Sequence, residues 1–403
     1  MLNRKKDLRG GYPLWNSAHL SVRTRLRLAR ERCDVAVVGA GVTGALTALA
    51  LVEAGLDVVV VDRREPAVGS TAASTALIQY ELDIPLRELR EMIGPRKAFR
   101  AWRRSHAAIG DLKSTIRKNG IEADWIDRSA LYLAGDELGS RAMREECHVR
   151  NRAGLESRFL TSRNLKREFG FERQAALFSP GAAELDPVLL TTGALRIAKS
   201  KGARIYAGQT ITSIESTAGK VRLLSREDGE IIAKKAVFAT GYEVVDGLPR
   251  DLFKITSSWA IATEPIDDAQ FWPTRCLIWE AATPYLYMRS TSDNRILAGG
   301  EDSDLLSPDR RDAAIPNKSK ALLKKVQALL PDTKLSIAFA WAGAFADSPT
   351  GLPVIRELDG FPGCMAILGC GGNGITFSVI ASQIVEKWVR GKRDADAALF
   401  EQR

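Results

Sequence analysis

The sequence predicts an α/β fold built on a parallel sheet, joined to a second part of α+β character. Two apolar runs, residues 35–38 and 58–61, flank a helical segment that stops at Gly55, which is the pattern of a βαβ unit. From residue 85 onward, charged helical stretches alternate with strand-like segments. A chain of 403 residues is also too long for one hydrophobic core, so we expect two domains.

The first strand runs directly into Gly39, Gly41 and Gly44, which have the spacing of the dinucleotide-binding fingerprint. Gly39 permits a tight turn, Gly41 lets a pyrophosphate approach the backbone, and Gly44 permits close helix–strand packing. The helix N-terminus offers N–H groups and a positive dipole end to phosphates. Asp62 ends the second strand, where its carboxylate can accept hydrogen bonds from ribose hydroxyls. This context favours a Rossmann-like dinucleotide-binding domain over an ordinary glycine-rich turn.

The composition is typical of a soluble protein from a reducing compartment. Hydrophobic residues make up 45% and charged residues 27% of the chain, as in ordinary globular domains. No apolar run reaches the length of a membrane span, and no secretory signal is visible. The three histidines are not spaced as a ligand pair, so we expect no metal centre. The five cysteines contain no CxxC pair, which favours a cytoplasmic location over a disulfide framework.

The net charge of +9 is concentrated at the N-terminus. Residues 1–32 contain nine Lys and Arg against two acidic residues. The remainder is nearly neutral and has no recognition motif, which argues against nucleic-acid binding. Arg23, Arg27 and Arg30 would share one face of a helix. The segment is either a basic arm that contacts anionic lipid or a partner, or a solvated, partly docked extension, which we favour.

The segment directly after Asp62 has the composition of a cofactor-binding loop. Residues 67–76 are small and rich in hydroxyls, so the backbone can approach a large flat ligand. Ser70, Thr71, Ser74 and Thr75 can bond phosphate or ribityl oxygens. A plain surface turn is the alternative, and the position of the loop favours cofactor contact.

Residues 85–180 have the pattern of a region inserted into the cofactor domain. Helical periodicity breaks at Gly94-Pro95 and stops at Gly120. After the inserted region, a strand ends at Ala239-Thr240-Gly241, small residues on which an adenine could rest. The other expected elements are strands over 121–134, a helical stretch over 138–169, a strand and turn over 177–181, a helix over 187–201, and strands over 203–232 with a hairpin turn at Asp228-Gly229.

Taken together, these motifs resemble one protein family in their order along the chain. The chain resembles the FAD-dependent oxidoreductases of the D-amino-acid oxidase superfamily, in the glycine oxidase and sarcosine oxidase branch, over residues 33–395. The resemblance implies FAD rather than NAD, although Asp62 stands where many members carry Glu. The motifs are the glycine fingerprint, 69–76 (GSTAASTA), 239–241 (ATG), 284–289 (PYLYMR), 296–302 (ILAGGED), 341–343 (WAG) followed by Asp347 and 351–353 (GLP), and 369–376 (GCGGNGIT).

The resemblance also implies an architecture. An FAD-binding domain would comprise residues 33–84, 181–250 and 341–403, behind a basic extension over residues 1–32. An interleaved α+β substrate domain, residues 85–180 and 251–340, would form an antiparallel sheet above the flavin. In the FAD-binding domain the diphosphate would be held by Gly39, Gly41 and Gly44, and the adenosine ribose by Asp62, with Val42, Thr43, Arg63 and Arg64 as further cofactor contacts. The segment past the pyrophosphate and ribityl chain toward the flavin ring would contribute Ser70, Thr71, Ala73, Ser74, Thr75, Ala76, Leu77 and Ile78. The adenine would meet Ile211, Ala239, Thr240 and Gly241, and the flavin ring would meet Gly371, Gly372, Asn373, Gly374, Ile375 and Thr376.

On the substrate side the resemblance points to Tyr285, Arg289, Gln79 and Asp302. One departure matters, because members of this family usually place a carboxylate-binding arginine after the Trp-Ala-Gly motif and this chain has residues 344–346 (AFA) there. Either another arginine such as Arg289 has taken over, or the substrate lacks that carboxylate. Cys370 does not match the cysteine to which sarcosine oxidases attach flavin, so we expect non-covalent FAD.

The resemblance implies oxidation of a C–N bond of an amine or amino acid, with hydride transfer to flavin N5 and with O₂ or a quinone as electron acceptor. A C–O bond is a less favoured target. Two alternatives from other classes are a flavoprotein subunit of an electron-transfer or multi-subunit dehydrogenase, and a non-catalytic dinucleotide-binding protein. Reduction of bound flavin by an amine would separate the proposed enzyme from both.

Overall fold

The computed structural model describes residues 8–15, 22–25, 27–243, 253–305 and 307–401. The strands of this part of the chain are, in order, β1 (Arg9–Tyr12), β2 (Arg30–Val38), β3 (Val58–Val61), β4 (Leu77–Ile78), β5 (Ile126–Leu133), β6 (Arg158–Thr161), β7 (Ala175–Glu184), β8 (Arg204–Tyr206), β9 (Ile211–Thr217), β10 (Lys220–Ser225), β11 (Glu230–Gly241), β12 (Lys254–Thr263), β13 (Leu277–Glu280), β14 (Leu286–Ser290), β15 (Ile296–Ser303), β16 (Ile337–Asp347), β17 (Val354–Glu357) and β18 (Cys364–Leu368). The helices are α1 (Val42–Glu53), α2 (Leu86–Ile93), α3 (Pro95–Asn119), α4 (Ser140–Arg152), α5 (Ser162–Phe169), α6 (Pro187–Ser200), α7 (Pro308–Ala313), α8 (Ile315–Leu329) and α9 (Gly374–Val389).

The smaller of two sheets carries the predicted βαβ unit. Its order is β17-β18-β11-β2-β3-β8, and the strands from β18 to β8 are parallel. β9 and β10 extend β11 as an antiparallel meander. Helix α1 crosses from β2 to β3 and packs against α6 and α9. The four valines of β3 are fully buried, as expected for a parallel strand covered on both faces. The α/β fold class is confirmed.

The larger sheet has the order β1-β16-β12-β15-β14-β13-β5-β7-β4, with β6 paired to β7. All neighbours are antiparallel except β5 and β13, which are parallel. Helix α8 packs against β12, β15 and β16. The other face of this sheet lies over the functional site described below.

Local sequence signals explain where several helices begin and end. Gly94 has a positive φ of 85° and Pro95 follows it at the first turn of α3, so the helical stretch breaks there into α2 and α3. Gly120 ends α3 in the left-handed conformation. The Asp186 carboxylate accepts hydrogen bonds from the backbone N–H groups of Val188 and Leu189 and caps α6.

Two local predictions are wrong. The expected helical stretch over 138–169 is interrupted, because β6 lies between α4 and α5. The expected turn at residues 177–181 is instead part of β7, which continues to Glu184. Pro180 and Gly181 together oppose Ser129 of β5 and form a bulge. A bulge accommodates the proline without ending the strand.

The sheets do not follow the predicted domain boundaries, and the division into domains stays a prediction. β4, the end of β7 and most of the 341–347 stretch of β16 lie in the larger sheet, although their residues were assigned to the FAD-binding domain. Short segments cross between the two sheets at these points, and sequence periodicity does not reveal such a crossing.

The N-terminal segment is docked on the protein where the structure describes it. β1 pairs with β16, and β2 already begins at Arg30. Arg25 forms an isolated bridge with Tyr206. The predicted helical face of Arg23, Arg27 and Arg30 is therefore wrong, since the described residues here are extended or irregular. Lys5 and the neighbouring basic residues before position 8 lie outside the described residues.

Within the described ranges, no helix is both long enough and apolar enough to cross a bilayer.

Candidate active site

A large cavity lies between the carboxyl ends of β2, β3 and β11 and the facing surface of the larger sheet. In an open α/β sheet, ligands bind beyond the carboxyl ends of the strands. At one end, which we call the fingerprint end, the cavity is lined by Gly39, Gly41, Asp62, Ile211 and residues 239–243. At the other, which we call the ring end, it is lined by Gln79, Asp83, Trp279, Tyr285, Tyr287, Phe345 and residues 370–376.

The glycines at the fingerprint end are required by geometry. Gly39 has a φ of 117°, a conformation that L side chains rarely adopt. A Cβ at Gly44 would come within 1.9 Å of the Gly39 carbonyl oxygen, so helix α1 could not pack this closely on the turn. Gly41 precedes α1 without a side-chain cap. The first turn of α1 therefore presents backbone N–H groups and the positive end of its dipole to the cavity.

Asp62 is held by two backbone donors at the end of β3. The N–H groups of Ala40 and Arg64 donate to its carboxylate at 2.6 and 2.8 Å. Burial raises the pKa of this carboxyl, and the two N–H donors counter the shift. Both oxygens keep further lone pairs for ribose hydroxyls.

A buried ion pair closes the fingerprint end. The Arg64 guanidinium donates two hydrogen bonds to the Glu243 carboxylate, each at 3.0 Å. Arg63 lies 3.5 Å from the same carboxylate, whose side chain is only 4% exposed. The pair ties the loop after β3 to the end of β11, and it fixes two of the predicted cofactor contacts in place.

The predicted cofactor loop crosses the cavity from one end to the other. Near α1, the Thr71 hydroxyl accepts a hydrogen bond from the Val42 N–H at 3.1 Å. In the middle, the Trp341 indole N–H donates to the Ala73 carbonyl at 2.9 Å. From the N-terminal segment, the Trp15 indole N–H donates to the Ser74 carbonyl at 2.6 Å. Helix, sheet and N-terminus thus all hold this loop.

At the ring end, the start of α9 is joined to the chain that leaves this loop. The Thr376 hydroxyl donates to the Gln79 carbonyl at 3.1 Å, and the Asn373 amide donates to the Glu81 carbonyl at 2.7 Å. The Gly372 N–H donates to the Asp83 carboxylate at 3.2 Å. Like α1, α9 presents an N-terminus without a side-chain cap. Such a terminus can stabilise negative charge on a ligand.

Aromatic and acidic side chains form the wall at the ring end. The Tyr285 and Tyr287 rings lie 5.7 Å apart, and Trp279 lines the same space. Asp302 lies behind Tyr285, and burial raises the pKa of its carboxyl although the Ser258 and Tyr285 hydroxyls counter the shift. Burial raises the pKa of Tyr287 to about 12. Both tyrosines are therefore neutral hydroxyl groups near neutral pH.

Most of the predicted site residues line this one cavity. Gly44 lies behind it, as expected from its packing role, and Asp302 reaches it through Tyr285. The predicted residues that line the cavity are Gly39, Gly41, Val42, Thr43, Asp62, Arg63, Arg64, Ser70, Thr71, Ala73, Ser74, Thr75, Ala76, Leu77, Gln79, Ile211, Ala239, Thr240, Gly241, Tyr285, Gly371, Gly372, Asn373, Gly374, Ile375 and Thr376. Their individual roles stay predictions.

Two positions require correction. Ile78 is buried in the core that packs around α1 and does not line the cavity. Arg289 is also outside it, because its guanidinium donates to the carbonyls of Thr75, Ser290 and Leu185. Arg289 shares the strand face of Tyr287 but lies past the cofactor loop. It supports this loop from behind and cannot replace the missing carboxylate-binding arginine from there.

Several cavity residues were missed from the sequence. Asp83 lies between the apolar residues Leu82 and Ile84 just after the cofactor loop, and its position so close to that loop could have identified it. Glu243 follows the end of β11 by two residues, as Asp62 follows β3 by one. Trp279 and Leu8 gave no signal, because both reach the cavity only through pairing in the larger sheet.

The arrangement fits an extended dinucleotide. The glycine cradle, the α1 N-terminus and Asp62 would hold the diphosphate and a ribose, and the α9 N-terminus would face a planar ring. Ser70 has a buried hydroxyl oxygen without a hydrogen-bond partner beside this path. Cys370 also lines the cavity, and burial raises the pKa of its thiol to about 12, so it is a protonated thiol near neutral pH.

Comparison with known proteins agrees with this geometry. The family model for FAD-dependent oxidoreductases, called DAO, matches residues 34–388. The gamma-glutamylputrescine oxidoreductase of Escherichia coli (strain K12) is 24% identical over 371 residues, which cover 89% of this chain and 84% of that protein. Glycine oxidase from Geobacillus kaustophilus has a similar structure with a TM-score of 0.75 and 21% identity, covering 93% of this chain and 99% of that chain. L-proline dehydrogenase from P. horikoshii superposes with a TM-score of 0.77 at 17% identity, covering 93% and 97% of the two chains.

Proposed function

The chain belongs to the DAO family of FAD-dependent oxidoreductases, and on that premise we propose that it oxidises a C–N bond of an amine or amino acid. The observation that carries the proposal is the continuity of the cavity. It runs without interruption from the glycine cradle to a wall of aromatic and acidic side chains. A dinucleotide held at the fingerprint end would place its redox-active ring beside a pocket of substrate size. FAD held in this cavity would supply the hydride acceptor for the carbon beside the nitrogen.

The residues of the chain would act by binding and orientation. We assign the diphosphate to the first turn of α1 and the ribose to Asp62. The first turn of α9 would stabilise negative charge at the ring. Tyr285 and Tyr287 would enclose the substrate, and Gln79 would contact it at the ring edge. The gain from such a site is mostly that of holding two reactants in one geometry.

The electron acceptor would be O₂ or a quinone. A quinone in a membrane would require contact with the bilayer, and the basic N-terminus is the candidate for it. Arg9 and Arg30 are already engaged within the protein, since Arg9 donates to the Val68 carbonyl and Arg30 pairs with Glu230. We assign the contact to Arg4, Lys5 and Lys6, which precede the docked strand β1. Cosedimentation with anionic vesicles, compared with a variant in which these three residues are glutamine, tests this part.

The main experiment is anaerobic titration of the purified holoenzyme. We expect at least one compound from a panel of amines and amino acids to bleach the visible absorbance of the bound flavin. Admitting O₂, or adding a soluble quinone, then shows which acceptor restores it. A protein that binds no FAD would refute the assignment of the cavity. A flavin that no amine or amino acid reduces would favour the electron-transfer or non-catalytic alternative.

A further inference from the structure

We propose that the ring end binds a cationic amine without a carboxylate beside its nitrogen, and that Asp83 supplies the opposing charge. This inference rests on the proposed function and narrows its substrate class. It is supported by three features of the ring end: its charge, its aromatic wall and its unpaired hydrogen-bond acceptors.

The charge of the ring end is negative. Asp83 lines the cavity, and Asp302 lies behind the Tyr285 ring close enough for the two carboxylates to repel each other. Burial raises the pKa of the Asp83 carboxyl and the Gly372 N–H counters the shift. A cation bound beside Asp83 would favour its ionised form. Among the described residues, the arginines and lysines that line the cavity are Arg63 and Arg64. Both lie at the fingerprint end, where Glu243 faces them. A substrate carboxylate at the ring end would meet Asp83 and none of the described arginines or lysines, which is unfavourable at short range. The α9 N-terminus, which could attract a carboxylate, is assigned here to the flavin ring.

The wall of the ring end has the chemistry that favours cations. Tyr285, Tyr287, Trp279 and Phe345 line it. The faces of such rings attract ammonium groups through their negative quadrupole. Trp279 is held in place by stacking on Tyr132, with ring centroids 3.6 Å apart. An ammonium group with its alkyl substituents would contact aromatic faces on one side and Asp83 on the other.

The unpaired polar atoms at the ring end include two acceptors, on Gln79 and Asp302, and one donor, the indole N–H of Trp279. Gln79 is only 8% exposed, lines the cavity, and has a side-chain oxygen without a hydrogen-bond partner. Asp302 likewise has one buried carboxylate oxygen without a partner. Buried acceptors of this kind are expected to find a donor. An amine supplies N–H donors and positive charge together, whereas a carboxylate supplies neither.

The test compares two ligands that carry the same quaternary nitrogen. Tetramethylammonium is a cation that cannot lose hydride to form an imine, and trimethylglycine adds a carboxylate beside the same nitrogen. Their binding to the holoenzyme is followed by the change in the visible flavin spectrum and by competition with each other. Both ligands can contact the aromatic wall through the quaternary nitrogen. We expect tetramethylammonium to bind about tenfold or more tightly than trimethylglycine, because the carboxylate of trimethylglycine would be repelled by Asp83.

The Asp83→Asn variant keeps the shape of the side chain and removes its charge. This variant should bind tetramethylammonium about tenfold more weakly than the wild type does. The difference in affinity between tetramethylammonium and trimethylglycine should therefore be smaller in the variant. Asp332→Asn, which removes an exposed carboxylate outside the cavity, should match the wild type. If the Asp83 variant loses FAD, the comparison of ligands in the wild type still decides the matter.

The inference is overturned if trimethylglycine binds the wild type as tightly as tetramethylammonium, if neither ligand binds, or if a folded, FAD-loaded Asp83→Asn protein binds both ligands as the wild type does. These readouts measure binding only. They can therefore fail while amines still reduce the flavin, or hold while no amine does, so this inference and the proposed function are tested separately.

Discussion

Replacement of Arg150 by methionine should destabilise the protein strongly. Arg150 and Glu146 are completely buried, with 2.7 Å between Nε and Oε1, and Glu81 lies 3.5 Å from the other side of the guanidinium and is 1% exposed. Glu146 also accepts hydrogen bonds from the backbone N–H groups of Leu86 and Arg87. Methionine would fill the space but leave two buried carboxylates without a counter-charge.

Breaking a buried ion pair by removing one partner typically costs about 3–5 kcal/mol, and we expect a loss of that size. It is a large share of the roughly 5–15 kcal/mol that stabilises a typical native protein. Urea unfolding followed by tryptophan fluorescence measures the loss. Arg152→Met is the matched control, because Arg152 ends the same helix and is exposed. Its free energy of unfolding should change by less than about 1 kcal/mol.

The pH dependence of this loss of stability tests whether the unpaired carboxylates cause it. Burial already raises the pKa of Glu81, and Arg150 counters that shift, so the variant should raise this pKa further. A group whose pKa is higher in the folded state stabilises the protein below its unfolded pKa, and this contribution is lost as the pH rises through the folded value. The difference in the free energy of unfolding between the wild type and Arg150→Met should therefore become smaller as the pH falls from about 8 to about 5. A loss below about 1 kcal/mol, or one that does not vary with pH, would refute the charge argument.

Three further predictions concern the site. Gly299→Ala places a Cβ within 2.3 Å of the Tyr287 hydroxyl oxygen and 2.4 Å of the nearest ring carbon, so the ring must move. Steady-state kinetics should show KM for an amine substrate raised about tenfold, with unchanged FAD content. Trp15→Phe removes the hydrogen bond to the Ser74 carbonyl. When the apoprotein is reconstituted with FAD, this variant should bind FAD about threefold to tenfold more weakly than the wild type. An unchanged affinity for FAD would exclude a role of the N-terminal segment in holding the cofactor loop. Burial raises the pKa of the Cys370 thiol to about 12, so this group stays protonated at pH 8. Acid precipitation of the holoenzyme should therefore release all the flavin. Flavin retained on the denatured chain would contradict non-covalent binding.

The sequence predicted best what depends on neighbours along the chain. The βαβ unit, the break at Gly94-Pro95 and the helix that begins at Pro187 follow from local spacing and backbone preference. It predicted poorly what depends on pairing between distant strands. Pro180 and Gly181 within β7 indicated a turn, but both residues lie in a bulge of the pairing between β7 and β5. Arg289 lies on the same face of β14 as Tyr287, but its guanidinium is bound to the Thr75 carbonyl behind the cofactor loop, which sequence spacing does not reveal.

The buried ion network and the proposed substrate contact belong to the same short segment. Backbone carbonyls of Gln79 and Glu81 accept hydrogen bonds from the start of α9, which fixes the segment on the cofactor side. The Glu81 side chain faces Arg150 in the interior, and Asp83 emerges at the ring end two residues later.

The position of Asp83 therefore depends on a charge network that never touches a ligand. A partial loss of the network should therefore weaken cation binding before it unfolds the protein. Arg150→Lys keeps the charge but not the planar guanidinium that reaches both carboxylates, so it is the variant in which weaker tetramethylammonium binding should accompany an intact FAD spectrum. Wild-type binding in that variant would show that α9 alone positions Asp83.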